Sequence, residues 1–218
     1  MRENRTSGTV WGVPGNWHSY HHTLKEELME HQSEMIISSE LDPGEKLIWS
    51  GMPRQGILFR GSDIFMIPFS LMWGGFAIFW EIGVLSIPKD AGPVGIIFPL
   101  FGIPFVLIGL YMIFGRFIVD SKTRSNSYYG VTDQRVIIKS GLFRKNVKSL
   151  NLRTLTDISL NEKKEGHGSI TFGQENPMAS WFGGASFPGM GAYNSPKFEM
   201  ITNAKDVYNK IREAQKKS

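Results

Sequence analysis

Cysteine is absent from all 218 residues, which excludes disulfides, zinc–thiolate sites and thiol nucleophiles. Formal charge is nearly absent from one long block: between Ile64 and Gly115 only Glu81, Lys89 and Asp90 carry any. No apolar stretch follows Arg2 and Arg5, so no cleaved signal peptide is expected. No glycine-rich nucleotide loop, no supported Ser–His–Asp setting and no metal motif stands out, so neither catalysis nor a cofactor or metal is expected. His18, His21, His22 and His31 lack neighbouring ligands at a recognised spacing and read as solvated surface. His167, in a Gly-rich turn, reads as a turn residue.

What the block does contain is two apolar runs. Residues 64–80 are 17 uncharged positions, continuing past Glu81 to Ile87, and residues 91–115 are another 25. A bilayer core takes about 20 residues at 1.5 Å rise each. The runs therefore predict transmembrane helices over about 64–86 and 92–115, returning directly on one another through residues 88–93. Lys46, Arg54 and Arg60 precede the pair and Arg116, Lys122 and Arg124 follow it, whereas the connection holds only Lys89 beside Asp90. Basic flanks stay on the cytoplasmic side, so both termini are expected in the cytoplasm and the chain in the plasma (inner) membrane. Gly95, Gly102 and Gly109 recur at intervals of seven, and Gly74, Gly75 and Ala77 lie at mid-depth in the first run. Small residues let helix backbones approach in lipid, so the five glycines Gly74, Gly75, Gly95, Gly102 and Gly109 are the expected seam. Pro68, Pro99 and Pro104 predict bends rather than breaks. Glu81 falls near the far interface, where a carboxylate reaching headgroups or water is the preferred reading over a proton or ion site.

Charge is unevenly spread: −3 over residues 1–63, −1 over 64–115 and +8 over 116–218. A basic segment beside a membrane is drawn to anionic lipid over a Debye length of roughly 8–10 Å. Arg116, Lys122, Arg124, Arg144, Lys145 and Lys148 are the candidate anionic-lipid contacts. No recognition helix or aromatic-interleaved basic stripe is present, so nucleic acid is not an expected partner.

Residues 1–40 form an N-terminal extension, largely solvated, with a short helix over about 23–35 announced by the capping-box spacing of Thr23-Leu-Lys-Glu26. Residues 41–62 form a cytoplasmic pre-membrane segment, 63–117 the helical hairpin and 118–218 a cytoplasmic domain. In that domain the pattern turns β. Tyr128 to Thr132, then Arg135 to Lys139, read as strand, tight turn, strand. Val147, Leu150 and Leu152 continue the alternation, as do Ile158 with Leu160, Ser169 to Phe172 and Phe198 to Ile201. From Asn203 the period is helical, with Ala204, Val207, Tyr208, Ile211 and Ala214 on one face. Residues 173–197 make a long Gly-rich loop holding Trp181, Phe182, Phe187, Met190 and Tyr193. Those aromatics and the methionine either grip a partner or the bilayer interface, or fold back over the domain.

Leu41-Asp-Pro-Gly-Glu45, Trp49-Ser-Gly51 and Pro53 stand ahead of the hairpin, and Tyr129-Gly-Val-Thr-Asp-Gln-Arg135 follows it. In that order and spacing, these motifs resemble the bacterial membrane-anchored pleckstrin-homology-like (PH-like) family over about residues 41–218. The resemblance implies an α+β chain whose hairpin precedes a bent antiparallel β-barrel capped by a C-terminal helix. The residues suit a membrane-tethered module for a protein or peptide partner or for homo-oligomerisation, with anionic-lipid sensing as the alternative. A small transporter or channel subunit is a distant third, because two helices with one carboxylate cannot line a pore alone.

Overall fold

A computed structural model describes residues 17–88, 92–142, 145–163, 166–174 and 195–218. The chain opens with α1 (Trp17–Ser38), longer at both ends than the capping-box spacing predicts. After it comes β1 (Leu47–Gly51), and then two apolar helices, α2 (Asp63–Leu85) and α3 (Val94–Leu110). A single π-helical turn (Tyr111–Gly115) joins α3 to α4 (Arg116–Ser125). Pro68 lies inside α2 and Pro99 and Pro104 inside α3, and both helices run through them. Six strands follow: β2 (Tyr128–Thr132), β3 (Arg135–Ser140), β4 (Asn146–Asn151), β5 (Ile158–Glu162), β6 (Gly168–Phe172) and β7 (Lys197–Ile201). The last element is α5 (Ala204–Lys217).

The strands form two antiparallel sheets, β1-β2-β3-β4 and β5-β6-β7. Residues 41–62, read from the sequence as a pre-membrane segment, thus contribute an edge strand. Trp49 pairs with Val131 and Gly51 with Tyr129 across β1 and β2. Both apolar helices therefore depart between two neighbouring strands of one sheet.

Period-two alternation supplies the core. Tyr129 and Val131 of β2 and Val136 and Ile138 of β3 point inward to meet Ile170, Phe172, Phe198 and Ile201 of the second sheet. α5 adds Ala204, Val207, Ile211 and Ala214, the face expected from its sequence period. Phe198 is the hub, with Tyr129 stacked at 4.7 Å, Phe172 edge-on at 5.1 Å and Trp49 at 5.6 Å between centroids. Each fully buried apolar side chain here is worth about 1.5–3 kcal/mol.

The expected closed barrel is not formed. At one corner a 3₁₀ turn (Leu152–Thr154) separates β4 from β5, and α5 fills the gap: Gln215 Nε2 donates to the carbonyls of Leu152 (3.1 Å) and Leu155 (2.6 Å). At the other corner β1 and β7 diverge. The chain leaves β1 through buried Pro53, which has no N–H to continue a ladder. Met200, at φ +50°, turns β7 aside. The Arg54 N–H bonds the Met200 carbonyl at 2.9 Å and bridges this corner.

The expected solvated extension is also partly docked. The last turns of α1 lie on the outer face of the first sheet, where Ile37 is fully buried over Gly130 and Ser33 Oγ donates to Ser50 Oγ at 3.1 Å. A Cβ on Gly130 would come within 2.5 Å of Ile37, so glycine there makes room for the helix.

Candidate functional site

Three features bear on function: the clip joining the two sequence motifs, the base of the helical pair, and the face the pair presents outward. In the clip, Glu45 is buried and its carboxylate accepts from Thr132 Oγ1 (2.6 Å), from Arg135 Nε (2.9 Å) and Nη2 (2.8 Å), and from the Asp42 N–H (2.9 Å). Lys46 and Asp133 close it further: the Lys46 N–H donates to Asp133 Oδ1 at 3.0 Å, and the Asp133 N–H to the Lys46 carbonyl at 3.1 Å. Burial alone would raise the Glu45 pKa, but these hydrogen bonds and the Arg135 charge bring it down to about 2. The two motifs, one on each side of the helical pair, are therefore halves of one polar clip. Trp49 of the same set lays its indole across Gly51, where a Cβ would meet the ring at 2.5 Å.

The base of the helices is a buried ionic network. Arg60 pairs with Asp120 of α4 at 2.7 Å and with Glu199 of β7 at 2.8 Å. Arg124 pairs with the same Asp120 at 2.7 Å, and its Nη2 also donates to the Gly56 carbonyl at 2.7 Å. Arg116 pairs with Asp63, at the start of α2, at 2.8 Å. The Glu199 carboxyl is pulled down against its own burial by Lys197, Arg60 and Arg124. Tyr129, whose hydroxyl accepts the Glu199 N–H at 3.3 Å, is pushed up by burial and by that carboxylate. The network ties both ends of the helical pair to both sheets.

This arrangement redistributes the candidate lipid contacts. Arg116 and Arg124 are buried, at 8% and 3% side-chain exposure, with their charge held by carboxylates. Lys122 and Lys145 are exposed and Lys148 is half-buried, while Arg144 lies outside the described residues. Arg116, Asp120 and Arg124 recur every four residues, so once α4 is recognised as a helix their shared face is visible in the sequence.

The seam between α2 and α3 is glycine-lined in part. A Cβ on Gly109 would lie 2.8 Å from the Gly74 Cα, and one on Gly102 would lie 1.7 Å from Glu81 Oε2. Gly95 is half-buried. Gly75 is off the seam: it is exposed, and its Cβ would meet nothing within 4 Å, because the helix turns it to the outer side. Glu81, expected to reach headgroups or water, instead folds back against Gly102, where Oε2 is buried without a hydrogen-bond partner among the described residues. Trp181, Phe182, Phe187, Met190 and Tyr193 lie outside the described residues, as do the side chains of His18, His21 and His22.

Outward, the helices are bare. The spans 63–85 and 95–125 are long and apolar enough to cross a membrane, yet in the most apolar 18-residue stretch of each only 22% and 17% of the residues are buried inside the chain. Phe65, Phe79, Ile82, Ile96 and Phe101 are each more than 60% exposed. A core helix of a soluble protein would bury that surface.

Two antiparallel sheets closed at one end by a C-terminal helix define a PH-like domain. A family model for the bacterial PH domain matches residues 82–213, more than half the chain, and the chain belongs to that family. The match begins inside α2, so α1 and β1 lie ahead of it. No curated protein and no solved structure matches.

Proposed function

We propose that this chain is a membrane-anchored PH-like module that presents its domain to a protein or peptide partner at the cytoplasmic face of the plasma membrane. The observation that carries this reading is the bare apolar surface of α2 and α3, which a lipid bilayer would cover, rooted in a buried ionic network. Such a root fixes the domain at the leaflet instead of leaving it on a tether. The basic flanks Lys46, Arg54 and Arg60 support a cytoplasmic position for both ends. The test uses the absence of cysteine. With Ser86→Cys and Ser218→Cys introduced separately, a membrane-impermeant maleimide should label intact cells at position 86 and label position 218 only after lysis. The reverse pattern would refute the cytoplasmic orientation, and a full-length chain that stays soluble without detergent would refute the anchoring.

A second reading, binding of anionic lipid, is supported by Lys122, Lys145 and Lys148, which remain outside the ionic network. Reconstituted into nanodiscs, the protein should show salt-sensitive enrichment of anionic lipid that falls when these three lysines become glutamine. Enrichment indifferent to salt and to the lysines would remove this reading.

A further inference from the structure

The open corner of the two sheets is a groove of about 480 Å³, within the range of pockets that hold ligands. Its floor is the free edge of β1 around Trp49 and Met52. Met29 of α1 and Val207 of α5 form its walls. These helices lie on opposite faces of the sheet, α1 over Ser50 and Gly130 and α5 against Tyr129 and Val131 in the core. The slot between them is open along a strand edge. A strand edge offers alternate N–H and C=O groups to a further strand. An extended chain laid along that edge would run between the two helices.

The polar lining says what such a chain carries. Asp206 and Lys210 neutralise each other at 3.0 Å. Arg54 and Glu30 line the same groove, and neither has an ion pair among the described residues. His167 also lines it, with Nδ1 buried and lacking a hydrogen-bond partner among the described residues. We propose that this groove binds an extended peptide segment of a partner protein, added as a strand to β1, with an acidic side chain against Arg54 and a basic one against Glu30. This rests on the reading of the chain as an interaction module and names the site and chemistry of its partner.

The experiment uses the full-length protein in nanodiscs and a random linear peptide library displayed on phage. Enriched sequences should carry one acidic and one basic residue, and their synthetic peptides should slow amide exchange at residues 48–52. Arg54→Glu should weaken binding about tenfold or more, the scale of one lost charge pair. The double variant Glu30→Lys with Arg54→Glu should select peptides of reversed charge order, a result that mere damage to the fold does not produce. Circular dichroism of each variant checks folding. No enrichment, or peptides that ignore both charges, would overturn the proposal. Protection of β1 that depends on protein concentration or lipid with no peptide added would also overturn it, by assigning the slot to a second copy or to lipid. Peptides that protect another surface would remove the groove and leave the module reading intact, whereas a reversed maleimide pattern would remove the cytoplasmic orientation, and a chain soluble without detergent the anchoring.

Discussion

At Glu45 one carboxylate accepts four hydrogen bonds, and its depressed pKa makes that arrangement measurable. The group titrates near 4.5 when unfolded and near 2 when folded. Its contribution is complete above pH 4.5 and is lost as pH falls from there toward 2, an amount of up to about 3 kcal/mol. Thermal unfolding in detergent from pH 7 to 3 should therefore show a smaller decline for Glu45→Gln than for the parent chain. An unchanged slope would mean that the clip does not hold the carboxylate ionised. The glycines of the seam divide just as cleanly. Gly109→Leu forces a side chain into the Gly74 backbone and should cost about 1–3 kcal/mol, whereas Gly75→Leu meets open space and should be nearly neutral. Equal melting temperatures for the two variants would contradict the packing described.

Between elements, the ties are ionic where the sequence offered only a sign. Asp120 serves both Arg60 and Arg124, so Asp120→Ala leaves two cations without that carboxylate in a buried site. The expected loss is about 3–5 kcal/mol, with faster proteolysis near residue 56 where Arg124 holds the Gly56 carbonyl. Lys122→Ala, exposed on the same helix, should shift stability by less than about 0.5 kcal/mol. Matching losses for the two variants would remove the distinction between tie and surface. A count of basic residues cannot separate Arg116 and Arg124 from Lys122, because what separates them is which carboxylates the fold brings near. Asp63 and Glu199 come from elements far apart in the chain and were not visible as partners.

Across the whole molecule, what was legible followed local pattern. Two charge-free runs marked the apolar helices, and alternation in Val136 to Ile138 or Ser169 to Phe172 marked strands, because those signals sit within one element. β1 was not legible: Leu47-Ile-Trp-Ser-Gly51 is short, and its partner lies beyond the entire helical pair. The open corner escaped for the same reason, since it depends on where β1 and β7 part. The groove was hidden too: Trp49, Gly51, Pro53, Arg54, His167 and Val207 each carry a local signal in the sequence, but nothing local brings them together with α1 along one lining. Replacing residues 54–126 by Asn-Gly joins β1 to β2 through a connection of six residues between the paired Gly51 and Tyr129. The product should stay soluble without detergent and keep its β-sheet circular dichroism. An aggregated or unfolded product would show that the domain needs its helical root to fold.

Because Gly51 is matched to Tyr129, synthesis imposes a timetable on this chain. The first strand leaves the ribosome early and must wait, with its ladder unfilled on both sides, until two oily helices have been made. Only then does its neighbour emerge. Completion of the sheet thus comes only after both apolar helices have been synthesised, and a chain cut short within them would carry an unfilled strand edge.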